Sequence, residues 1–267
     1  MLKNKHDKRP RIGIGAVRAS FKAIEEEPFC MSYFARPLAN IITPFFFNTG
    51  FTADNIITLR LILGLIALVF FATGIFELSI LAVVIFGFAF VLDCVDGNLS
   101  RLQDKGNYWG KFIDGFVDDI NLFLTPTAIG CGAWLSGQGS WFVFAGAIIS
   151  LVALLTGIAR HRIGFVREWM IAQSGALVDN DKNIINYSDK LSKRPISIQA
   201  NLFCFSPLLI ILPLGEWFYI IIMLVFATTA NLFWLYILVI QASQLFRRSR
   251  FGSHSIHSGV EKKPHEQ

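Results

Sequence analysis

Two long runs without charge constrain this chain more than any other feature. From Ile120 to Ala159 there is no Asp, Glu, Lys or Arg, and from Pro195 to Phe246 the only charged residue is Glu216. Runs of roughly 40 and 50 residues each hold two helical spans of about 20, the length that crosses ~30 Å of hydrocarbon. Composition points the same way. The chain is 54% hydrophobic and 16% charged, whereas a water-soluble domain carries about 25% charged residues. The expected fold is all-α and polytopic, and both a soluble globule and a disordered chain are excluded.

Six transmembrane helices are predicted, near 55–76, 78–101, 108–135, 139–162, 197–214 and 216–246. The last is longer than a perpendicular crossing, so it tilts or runs on past the lipid. Short outer turns are expected at 74–77, 136–140 and 213–216, and none holds a Lys or Arg. The basic residues gather in the N-terminal arm, at the Arg60 and Lys111 ends of spans, in the Arg101 to Lys105 turn, in 160–194 and in the tail. By the positive-inside rule both termini lie in the cytoplasm, as an even number of spans requires. The net charge of +5 is then a topology signal beside anionic headgroups, and no nucleic-acid partner is needed. The expected location is a bacterial inner membrane.

Residues 1–50 read as a basic cytoplasmic arm followed by an amphipathic helix in the interface, with Phe29 to Leu38 mixing apolar residues with Arg36 and Pro44 capping it. No apolar h-region follows the basic start, so a cleaved signal peptide is not expected. Residues 51–246 form the membrane domain, and 247–267 a disordered cytoplasmic tail. The four cysteines contain no CxxC pair and are expected to be small buried hydrophobes.

The second and third spans break the apolar pattern, with Asp93 and Asp96 on one and Asp114, Asp118 and Asp119 on the other. A carboxylate at the centre of a membrane helix costs roughly 2.5 to 3.5 kcal/mol on the insertion scale. Asp93 and Asp96 stand at i and i+3, while Gly110, Asp114 and Asp118 stand at i, i+4 and i+8, so each set shares a helical face. The short turn between the spans makes them antiparallel neighbours, with Asp118 about 12 Å inside the hydrocarbon edge and deepest of the four. Carboxylates so crowded refuse to ionise together unless cations sit among them. An all-oxygen set favours Mg²⁺ or Mn²⁺, with Ca²⁺ as a further option; such ions keep positions open for substrate phosphates. Gly97 and Gly110 allow close approach of a ligand or of a neighbouring helix. Arg101 is placed to hold a phosphate or to snorkel, and Asp119 points away as a supporting group.

The run Asp93-x2-Asp96-Gly97-x2-Ser100-Arg101-x8-Gly110-x3-Asp114-x3-Asp118 resembles the signature of the class I CDP-alcohol phosphatidyltransferase family. Ser100 stands where that family usually has Ala. Upstream, Thr52 to Thr58 looks like the family's Pro-Asn-x-x-Thr start of the first span, with Asp54 in place of the Pro. The resemblance implies an integral-membrane homodimer that moves a substituted phosphate from a CDP-alcohol donor to a hydroxyl acceptor and releases CMP. It implies two bound ions, Mg²⁺ or Mn²⁺, held by Asp93, Asp96 and Asp114 and shared by Asp118, which also serves as general base. Gly97, Ser100 and Gly110 would lie against the CMP moiety, with Arg101 near its phosphates.

CDP-diacylglycerol is the expected donor and a polyol or polyol phosphate the acceptor. The Tyr33 to Leu38 segment keeps open a CDP-polyol or CDP-aminoalcohol donor acting on a second alcohol. Arg160, Arg162 and Arg194 are candidate acceptor-phosphate contacts, although topology alone explains them. The polar connection from about 165 to 196 is a candidate for acceptor choice. An intramembrane prenyltransferase would carry its acids on separated helix pairs. A proton- or ion-coupled transporter would distribute them across the membrane. Neither pattern is present.

Overall fold

The computed structural model describes residues 11–20, 28–104, 108–174, 201, 204–223 and positions 225, 229, 232, 236 and 239. Every regular element among the described residues is helical. In chain order they are α1 (Ile14–Ser20), a π-helical turn (Cys30–Ala35) running directly into α2 (Arg36–Asn48), α3 (Ala53–Ala72), α4 (Phe76–Gln103), α5 (Tyr108–Leu135), α6 (Trp141–Ser174) and a 3₁₀ helix (Ser206–Ile211).

The boundaries follow local chemistry. Thr52 opens α3 with a capping box: its hydroxyl accepts from the Asn55 amide at 3.3 Å, and its own amide donates to Asn55 Oδ1 at 3.1 Å. Gly74, at φ +69°, makes the turn into α4, where Glu77 lies in the first turn and complements the helix dipole. Asp104 ends α4 in the left-handed conformation. Gly137 and Gly139, both at positive φ, turn the chain between α5 and α6.

Among the described residues three helices, Ala53–Ala72, Phe76–Gln103 and Trp141–Ile158, are long and apolar enough to cross a membrane. α5 equals α4 in length at 28 residues but carries its acids in the first half. Of the fifth predicted span 201 and 204–214 are described, and of the sixth mainly 216–223, so six crossings are not established among the described residues. What is described there is a 3₁₀ helix, a reversal at 212–214 and a further helical stretch over 215–223, which places the turn where the sequence predicts it.

Two expectations are corrected. Pro44 lies inside α2 rather than capping it, and the helix runs four residues further to Asn48; losing one N–H is tolerated because Pro removes a single bond from an otherwise intact ladder. Within the arm, α1 packs on α2 and Asn48 pairs with the Ile12 backbone at 3.0 and 3.2 Å. α6 continues to Ser174, into the stretch expected to be connection, because nothing between Arg160 and Ser174 breaks a helix.

Of the cysteines, Cys30 and Cys94 are buried while Cys131 and Cys204 are half-buried. The expected tail lies outside the described residues. One apolar core joins α3, α4, α5, α6 and the 215–223 helix through residues such as Phe71, Phe86, Ile129, Phe142 and Tyr219. A second lies between α2 and α4, around Phe46, Ile56, Leu92 and Leu99.

Candidate active site

The carboxylates converge. One oxygen each from Asp93 on α4 and from Asp114 and Asp118 on α5 lie within 4.8 Å of one another. Asp96, one turn along from Asp93, stands outside that trio and is buried. α4 and α5 are neighbours at their acids, while the closest backbone packing of each is with α3 or α6, and α3 lies along both. Carboxylates brought this close repel unless something cationic lies among them.

That something is Arg60 of α3. Its guanidinium is buried and meets all four aspartates. Nη1 pairs with Asp93 Oδ1 and lies 3.3 Å from Asp96 Oδ2. Nη2 lies 2.7 Å from Asp114 Oδ1 and 3.1 Å from Asp118 Oδ1, and donates to the Asp114 carbonyl at 2.9 Å. The close Asp114 Oδ1 contact is misaligned for a hydrogen bond, so that oxygen is buried with no hydrogen-bond partner, as is Arg60 Nε.

Burial across the set is graded. Side-chain exposure is 7% at Asp96, 19% at Asp93, 38% at Asp114 and 61% at Asp118. Asp118 is farthest along its helix from the α4–α5 turn, as expected, yet its side chain is the most open of the four. Beneath it a small cavity of about 30 Å³, room for one water, is lined by Arg60, Phe86, Phe90, Asp93, Asp118 and Asn121. Asn121 is buried and its Oδ1 has no hydrogen-bond partner. It fits because Gly64 of α3 faces it: a Cβ there would press on Asn121, with Cγ at 3.0 Å.

The predicted nucleotide-side residues line the last turns of α4 and the start of α5. Gly97, Ser100 and Gly110 are half-buried and Arg101 is exposed. A Cβ on Gly97 would meet nothing nearer than Arg101 Nη1 at 3.5 Å, so no neighbouring helix requires the glycine. Arg101 is held by Asn98, whose Oδ1 accepts from Nη2 at 2.7 Å, while Asn98 Nδ2 donates to Thr43 of α2 at 3.1 Å.

Of the predicted acceptor contacts, Arg162 is exposed, with its guanidinium 5.9 Å from the Phe165 ring centroid. The side chain of Arg160 and the whole of Arg194 lie outside the described residues, as does the 175–200 part of the predicted connection. Asp119 pairs with His161 at 3.0 Å, which ties α5 to α6.

Sequence reasoning missed Arg60, Asn98 and Asn121 as parts of this site. Arg60 carried a signal, since it lies eight residues inside the Thr52 cap, about 12 Å along the helix, too deep for a simple end anchor. Asn121 also stood out, three residues after Asp118 within an uncharged run. Nothing in the pattern singles out Asn98.

With this geometry in view, the comparison with known families is decisive: the model for CDP-alcohol phosphatidyltransferase matches residues 51–230. The chain belongs to the CDP-alcohol phosphatidyltransferase family. None of the curated proteins compared with it matches. As a CDP-alcohol phosphatidyltransferase it is a membrane transferase of phospholipid synthesis, using a CDP-alcohol donor and an alcohol acceptor and releasing CMP. The family depends on a divalent metal. The residues present fit one: the trio offers only oxygen donors, and Asp114 Oδ1, though ion-paired with Arg60, is buried and accepts no hydrogen bond.

Proposed function

We propose that the enzyme transfers a phosphatidyl group from CDP-diacylglycerol to the hydroxyl of a polyol or polyol phosphate, working as a homodimer with its site at the cytoplasmic face. The observation that carries this reading is the convergence of the Asp93, Asp114 and Asp118 oxygens at one end of apolar helices. A diacyl donor is supported by a cavity of about 390 Å³ beside α4, lined by apolar residues including Phe34, Leu38, Val84, Phe86 and Leu208. Phe86 also lines the small cavity under Asp118, so one side chain borders both the apolar space and the acids.

Asp93, Asp96 and Asp114, with Asp118 shared, would hold two ions, Mg²⁺ or Mn²⁺. Bound there, the ions supply charge neutralisation for an in-line displacement at the diphosphate. The protein's own groups do the rest. Gly97, Ser100 and Gly110 leave the backbone open to the CMP moiety, and Asn98 aims Arg101 toward its phosphates. Asp118, the most exposed carboxylate, takes the proton from the acceptor hydroxyl as it attacks phosphorus. The apolar walls keep water from competing as acceptor.

The test is CMP release by the purified protein with Mg²⁺ or Mn²⁺, a panel of CDP-alcohols and a panel of acceptors. CDP-diacylglycerol with a polyol or polyol phosphate is expected to turn over. Asp118→Asn is expected to lose about 10² to 10⁴-fold in turnover, the usual worth of a general base, while still binding nucleotide. Asp93→Asn should instead weaken metal-dependent nucleotide binding. Normal turnover by Asp118→Asn would remove it as the base, and CMP release from CDP-polyols alone would overturn the donor.

A further inference from the structure

The mechanism gives Arg60 no task, although it is the most completely buried charged side chain among the described residues, at 1% exposure. A buried guanidinium is retained only where its partners are excellent, and removing one side of such a pair costs about 3–5 kcal/mol. Here the pairing is incomplete in a specific way. One positive charge faces four carboxylates, and its planar fork serves them two to each terminal nitrogen. Nε and Asp114 Oδ1 remain without hydrogen bonds. The three residues whose oxygens gather within 4.8 Å are all held by Arg60. A guanidinium and a divalent ion therefore compete for the same acids, and the ion, at twice the charge and far smaller radius, is the stronger partner.

We propose that Arg60 is the resident counter-cation of the acid pocket: it holds the four carboxylates together while no divalent ion is present and yields oxygens to the ion as it binds. This rests on the metal reading above. Arg60 is thus a positioning residue, placed by α3 between α4 and α5 so that the site stays assembled through each cycle of metal and nucleotide exchange. It also fits the packing, because the α3 guanidinium lies where the acids of α4 and α5 converge.

The experiment compares wild type, Arg60→Gln and Arg60→Lys, purified in detergent with CDP present. Mn²⁺ binding is followed by the electron paramagnetic resonance signal of free Mn²⁺, and thermal unfolding is followed with chelator and with saturating Mn²⁺. Arg60→Gln is expected to bind its first Mn²⁺ at least about tenfold more tightly than wild type, about 1.4 kcal/mol. It should melt well below wild type under chelator and recover most of that loss with Mn²⁺. Arg60→Lys, with charge but no fork, should fall between. Should Arg60→Gln not accumulate, Arg60→Lys carries the same comparison. Unchanged or weaker Mn²⁺ affinity in the variant, or a stability loss that Mn²⁺ does not reduce, overturns the proposal and leaves Arg60 a structural ion pair. Absence of Mn²⁺ binding in wild type and variants alike would overturn the metal reading itself.

Discussion

The two ends of the helical bundle are built by opposite means. At the end holding the α3–α4 and α5–α6 turns, backbones touch. A Cβ on Gly132 of α5 would strike the Phe71 carbonyl of α3, and Gly130 and Gly146 meet the Phe142 and Pro126 carbonyls in the same way. Trp141, Phe142 and Trp217 close that end, with ring centroids 4.7 and 4.8 Å apart across the chain, and Gln138 donates to Glu216 at 3.0 Å. At the acid end side chains fill the space between helices, above all Arg60 and Asn121; Gly64 makes room for Asn121, whereas Gly97 and Gly115 face no close neighbour. Small residues let membrane helices pack closely where no hydrophobic force draws them together. The difference is that one end is set by backbone contact and the other by side chains, which fits the proposed ligand site at the acid end.

The sharpest way to break that contrast is a matched pair of substitutions. Gly132→Ala should lower stability by about 1–3 kcal/mol through overpacking, read as thermal unfolding in detergent, with nucleotide affinity little changed. Gly97→Ala should leave the unfolding temperature near wild type while weakening CDP binding several-fold. Equal stability losses from both would erase the distinction between the ends.

A smaller effect sharpens the picture at the acid end. Asn98→Ala removes the link from α4 to α2 and frees Arg101, which should cost about 1–3 kcal/mol of stability by leaving buried partners unmatched. It should also weaken binding of the nucleotide diphosphate more than binding of cytidine alone. The smallest effect is expected at the rim, where His161→Ala breaks an exposed pair with Asp119. Such pairs contribute at most about 1 kcal/mol, so a large loss of activity would give that pair a role beyond tying α5 to α6.

Legibility from sequence follows the range of the forces involved. α5 spans 108–135 as its hydropathy predicts, because a helix between a polar turn and a Gly-rich turn is set by consecutive residues. α6 overruns its predicted end at 162 because leaving the membrane does not stop a helix; only a breaker does. Pro44 does not end α2 for a related reason: a proline removes one hydrogen bond, and the packing of α2 on α4 outweighs that loss. The aspartates were legible as charges that a membrane tolerates only for a purpose. Arg60 was read as an end anchor because its own span shows no partner for it.

Taken alone, the order of residues determines that the chain is helical and apolar, where its helices turn, and which acids share a face, since hydropathy and a 3.6-residue period are properties of neighbours along the chain. The folded structure decides what lies between those faces. That α3 slots in beside both α4 and α5, and that its single arginine reaches all four carboxylates, depends on close packing and Coulomb attraction between residues far apart in sequence. Such forces act through space, and no local pattern records them.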